Sequence, residues 1–132
     1  MLRNLVCVLM LVSIDGCVYC QIKIKNATDG TIRIKTTHTR EPVVIRAGNS
    51  KAFGHASGDL LVESNGKTLK FEDVGVCGKS PPYSHGGFVF NWRCAHFLID
   101  KNLQIYALHP GEKTVNLKIA QPQGYPKVGI EQ

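Results

Sequence analysis

Beyond residue 20 the chain alternates apolar and polar positions in short runs, the period of two that a half-buried β-strand shows. The longest apolar run is residues 86–100, GGFVFNWRCAHFLID, which holds the single tryptophan and three of the five phenylalanines. Aromatic and β-branched side chains at this period predict a central strand. It would set Phe88, Phe90, Trp92, Cys94 and His96 on one face and Val89, Asn91, Arg93, Ala95 and Phe97 on the other. Helix is the competing reading, but Gly86-Gly87 and the turn-like Asp100-Lys101-Asn102 favour strand, with Trp92 as the bulky centre of a core.

The other elements follow from the same alternation. Residues 21–26 (QIKIKN) and 31–37 (TIRIKTT) predict two strands joined through Asp29-Gly30, with Ile22, Ile24, Ile32 and Ile34 inward. That hairpin would present Lys23, Lys25, Arg33 and Lys35 together on its outer face, where like charges repel unless solvent or an anion screens them. Residues 42–46 form a third strand entered through proline, which suits a strand's first position, and 51–53 a short fourth. Residues 59–64 and 67–72 flank Asn65-Gly66, the strongest hairpin signal in the chain, with Leu61, Leu69 and Phe71 expected inward and 74–77 extending the strand. Residues 78–87 (GKSPPYSHGG) read as a long loop. Residues 103–108 and 113–120 read as strands, the latter from the alternation of Val115, Leu117 and Ile119. The tail 121–132, broken by Pro122, Gly124, Pro126 and Gly129, is expected to be irregular and to lie over a sheet by Tyr125 and Ile130. About eight short strands with no amphipathic helix predict an all-β fold, a small antiparallel β-sandwich, spanning residues 17–120.

The leader changes the picture of where this domain works. Residues 1–20 read MLRNLVCVLMLVSIDGCVYC, with Arg3 as a positive start and 5–14 as an apolar stretch too short for a bilayer core of about 30 Å. This predicts a cleavable export signal. Ile14, Gly16 and Cys17 together resemble a bacterial lipoprotein signal, from which Asp15 departs. The resemblance implies cleavage after Gly16 and lipid attachment at Cys17. Ordinary cleavage after Cys20, with a leader of 1–20, is the competing boundary. The net charge of +6 at pH 7 draws the protein to polyanions, and export leaves anionic lipid or acidic polysaccharide as partners rather than nucleic acid.

Candidate chemistry is sparse. Cys77 and Cys94 are expected to pair as a disulfide, common in an exported domain of this size. Cys94, His96 and His55 faintly suggest copper, but both methionines lie in the leader, and no CxxC or HxxxH spacing supports zinc at His55, His85 and His96; no cofactor or metal is expected. Ser80, Ser84 and His85 share a loop without a nucleophile elbow. Asp59, Glu63, Glu72 and Asp73 read as hairpin surface, and Asn26-Ala27-Thr28 is a glycosylation sequon. No catalytic residue is assigned. The functional expectation is an exported, lipid-anchored, non-enzymatic binding or structural module of the cell envelope. The alternative is a secreted effector or toxin-like protein that attaches to an anionic surface through the basic hairpin.

Overall fold

The structure, a computed structural model, describes residues 19–36, 39–54, 59–74, 85–86 and 92–132, with backbone alone at 19–20, 85–86 and 92–93. The described residues are all-β, without a helix. The elements are β1 (Tyr19–Asn26), β2 (Ile32–Lys35), β3 (Val43–Ile45), β4 (Ser50–Gly54), β5 (Leu60–Ser64), β6 (Lys67–Phe71), β7 (His85–Gly86), β8 (Trp92–Ile99), β9 (Gln104–Leu108), β10 (Lys127–Val128) and β11 (Ile130–Glu131). One sheet runs β10-β9-β8-β1-β4 with β7 added on β8; the other runs β11-β6-β5-β2-β3. Both contribute to one buried cluster. Ile22, Ile24, Phe97 and Ile99 come from the first sheet; Ile32, Ile34, Leu60 and Val62 come from the second. Each fully buried side chain of this size contributes roughly 1.5–3 kcal/mol, so this shared cluster is what holds the sheets together.

The inward isoleucines of β1 and β2 are as expected, but the hairpin between them is not formed. β1 pairs with β4 and β8 in the first sheet, and β2 pairs with β3 and β5 in the second. Alternation fixes which side chains face a core; it does not fix the partner, and two sheets facing one core satisfy the same pattern. Residues 27–30 carry the chain across. The corner is built on Asn26, a fully buried polar side chain. Its Nδ2 donates to Gly30 O at 2.7 Å and Ile45 O at 2.9 Å, and its Oδ1 accepts from Thr28 N–H at 2.9 Å. The sequon asparagine is thus a structural hub whose nitrogen has no room for a glycan in this fold.

Other elements depart from expectation for identifiable reasons. The sheets are not purely antiparallel, because β1 lies parallel to β8 over Tyr19↔Trp92 through Asn26↔Ile99. Residues 86–100 are not one strand: β7 folds back on β8, pairing His85 with Cys94 and Gly86 with Arg93. Trp92 opens β8, and its side chain lies outside the described residues, as do residues 78–84 of the expected loop. Inward on β5 are Leu60, Val62 and Ser64, whereas Leu61 stands on the outer face opposite Lys35 and Lys70. Adjacent Leu60 and Leu61 both fit a period of two; Val62 decides for Leu60. The Asn65-Gly66 hairpin is as expected, with φ of 50° and 77° that match a type I′ turn.

Residues 113–120 form turns rather than a strand, because the edge of β9 they would need is taken. β10 pairs with Gln104 and Ile105, and the Gln121 side chain both accepts from Ala107 N–H at 2.9 Å and donates to Ala107 O at 3.2 Å. The tail, expected to be irregular, supplies β10 to the first sheet and β11 to the second. Tyr125 stacks on Phe97 with ring centroids 5.7 Å apart, as its expected packing role requires, while Ile130 is 56% exposed. Between β10 and β11 the chain passes so close that a Cβ on Gly129 would sit 2.8 Å from both Leu69 Cβ and Phe71 Cζ.

Candidate anion-binding cleft

Side chains that point away from the shared core on β1 and β8 form the floor of an open cleft of about 410 Å³. Alternation on β1 turns Lys23 and Lys25 outward, about 7 Å apart along the strand. The parallel register brings Lys23 beside His96 and Lys25 beside Leu98, and the antiparallel register sets Ser50 across from Lys25. Beyond β9 the chain turns at 109–112: Glu112 N–H donates to His109 O at 3.1 Å, with Pro110 and then Gly111 at φ 84°. Proline followed by a left-handed glycine is what a type II turn needs. This turn delivers Gly111, Glu112 and Lys113 to the cleft wall opposite β1.

The cleft therefore gathers three lysines against one glutamate, with His96 and Ser50 beside them. Among the described residues none of Lys23, Lys25 and Lys113 is in an ion pair. Cationic and hydroxyl donors around an open, partly apolar floor suit an anionic group that keeps some contact with water. On the same face Cys94 is buried and free. Burial pushes its thiol up, and the positive charge of Lys23 pulls it part of the way back.

The expected four-cation patch is divided by the fold. Lys23 and Lys25 line this cleft, whereas Arg33 and Lys35 stand on the outer face of the other sheet. There Arg33 Nε lies 3.9 Å from Glu63 Oε2, and Lys70 Nζ lies 3.4 Å from Asp59 Oδ2. The basic hairpin behind the secreted-effector reading is thus not formed. The expected Cys77–Cys94 bridge is not seen either: among the described residues there is no disulfide, Cys94 is a free thiol, and Cys77 lies outside them. Cys17 also lies outside the described residues. Sequence reasoning missed Lys113 and its turn as part of a site. The His-Pro-Gly-Glu turn was visible, but nothing local says that it folds towards β1. Comparison with protein-family models, with characterised proteins and with solved structures returns no match.

Proposed function

We propose that the protein is a small exported β-sandwich that acts without catalysis as a binding module of the cell envelope, tethered by lipid on Cys17 and holding an anionic surface group in the cleft. The cleft carries this reading, because its three lysines converge from β1 and from the loop after β9, while on the other outer face Arg33 and Lys70 stand beside Glu63 and Asp59. The phosphate of an anionic lipid and the carboxylate or sulfate of an acidic polysaccharide share the chemistry it would recognise. The start of β1 supports the Cys17 boundary over cleavage after Cys20. Tyr19 and Cys20 are already in register with Trp92 and Arg93, and a cut after Cys20 would strip both pairs. From Cys17 to Tyr19 is two residues, about 7 Å of extended chain, so the tether would hold this end of the sheet close to its membrane.

The test compares paired charge reversals. Each lysine contributes about 1 kcal/mol beside an anionic surface, so Lys23→Glu with Lys25→Glu weakens binding to an anionic matrix by more than about tenfold and flattens its salt dependence. Arg33→Glu with Lys35→Glu leaves binding within about twofold, because those cations stand on the outer face of the other sheet, away from the cleft. Equal loss from both pairs, or none from the first, overturns the cleft. Intact mass of the mature chain tests the tether: a start at Gln21, or an unmodified Cys17, removes it.

A further inference from the structure

We infer that the anion in the cleft belongs to a lipid headgroup, and that residues 113–120 are a loop that enters the bilayer interface beside it. The inference rests on reading the cleft as an anion site. Leu117 is 85% exposed and Ile119 is 53% exposed, the tip of a segment that belongs to no strand. The loop holds its own shape. Lys118 N–H donates to Asn116 Oδ1 at 3.0 Å, and Ile119 N–H donates to Asn116 O at 3.2 Å. Lys118 stands between the two apolar residues, and Lys113 at the loop's start lines the cleft with Lys23 and Lys25.

One segment thus carries an apolar tip, flanking lysines and a wall of the anion site. That is the chemistry of an interfacial anchor, in which apolar side chains reach the acyl boundary and lysines meet the phosphates. Chain direction agrees with it. β9 runs antiparallel to β8 and β1 runs parallel to it, so β9 ends with Leu108 beside His96, the residue that pairs with Lys23, and the loop sets out from the cleft itself. An acidic polysaccharide would engage the lysines but leave Leu117 and Ile119 in water; the apolar pair favours the bilayer.

The test uses the full chain with Leu117→Trp, a change that the exposure of Leu117 lets the fold accept. Vesicles are phosphatidylcholine alone or mixed with phosphatidylserine, with brominated acyl chains as quencher. The unsubstituted chain gives the baseline from Trp92, and the leader acts equally in every variant, so the readout is the local environment of the added indole. On phosphatidylserine vesicles its emission shifts to the blue and is quenched. On phosphatidylcholine alone it stays that of an indole in water. Lys113→Glu, or Lys23→Glu with Lys25→Glu, abolishes the shift. An indole that stays in water on phosphatidylserine vesicles overturns the inference, as does a shift produced by soluble acidic polysaccharide and not by vesicles. Amide shifts at residues 23–25 and 111–113 on adding inorganic phosphate read the cleft alone. If they appear while the indole stays wet, the cleft stands and the bilayer falls; if phosphate moves nothing, both fall.

Discussion

The first two strands carry nearly the same sequence, Ile-Lys-Ile-Lys at 22–25 and Ile-Arg-Ile-Lys at 32–35, and bury their isoleucines equally well. Their cations end in different surroundings. On β2, Arg33 is in register with Glu63, and Lys70 on β6 has Asp59 within 3.4 Å. These groups are well exposed, so the pairs contribute little stability, but they cancel charge where they stand. On β1, Lys23 and Lys25 are in register with His96 and Ala52 and with Leu98 and Ser50, none of them acidic. The carboxylate that lines the cleft, Glu112, arrives with Lys113 on a loop from beyond β9. An alternating strand decides which side a charge faces. Whether that charge is available to a ligand is decided by strands remote in sequence.

The separation of the two faces depends on the corner at Asn26, and breaking it has the largest expected effect. Asn26→Ala leaves Ile45 O and Thr28 N–H without their partner and Gly30 O with the Thr28 hydroxyl alone, and each buried unpaired group costs about 1–3 kcal/mol. The expected loss is roughly 3–5 kcal/mol, read as a lowered denaturation midpoint at unchanged slope. A loss below about 1 kcal/mol would mean that residues 27–30 can rearrange, and that the division of the cations between two sheets is not fixed by this corner.

A smaller effect comes from the far edges, where the tail joins the sheets away from the Lys23–Lys25 cleft. Gly129→Ala sets a methyl group 2.8 Å from Leu69 and Phe71. Overpacking of this kind costs about 1–3 kcal/mol. Hydrogen exchange should accelerate at the tail amides, including that of Gln132, which donates to Thr68 O. Binding through Lys23 and Lys25 should survive in the folded fraction. If binding falls along with tail protection, the cleft is not independent of the tail, and the comparison of two autonomous faces fails.

Much of this fold was legible, and most of the failures share one cause. Ile22, Ile24, Ile32 and Ile34 were readable as inward because period two states burial directly. Asn65-Gly66 was readable because left-handed backbone at two successive positions admits few residues. What could not be read was pairing. β1 with β8, the fold-back of β7, and Gln121 occupying the β9 edge are contacts between segments whose local patterns do not mention one another. The alternation of Val115, Leu117 and Ile119 predicted a strand because a pattern cannot tell that no ladder edge is left to accept it. The cleft was half legible for the same reason: Lys23 and Lys25 were visible as outward cations, whereas Lys113 depended on where a turn points. The tail was misread through its prolines and glycines, which exclude long strands but not the two-residue strands it makes.

The smallest effect sharpens the comparison from inside the first face. Cys94 lies on β8, and burial raises its thiol above the ordinary range while Lys23 on β1 draws it back. A thiol whose folded pKa exceeds its unfolded one holds its proton more tightly in the native state. Its contribution to stability is therefore complete below the unfolded pKa and is lost as pH rises through the folded one. Lys23→Gln removes the opposing charge, so the folded value rises further and the alkaline loss of stability deepens. The Cβ chemical shift of Cys94, followed by NMR across the alkaline range, reads this directly: the midpoint should move upward in Lys23→Gln. It should stay put in Lys35→Gln, whose charge lies on the other sheet. Coincident midpoints in wild type and Lys23→Gln, or an equal shift in Lys35→Gln, would mean that Lys23 does not act on the first sheet's outer face, and the contrast between the two faces would lose its electrostatic basis.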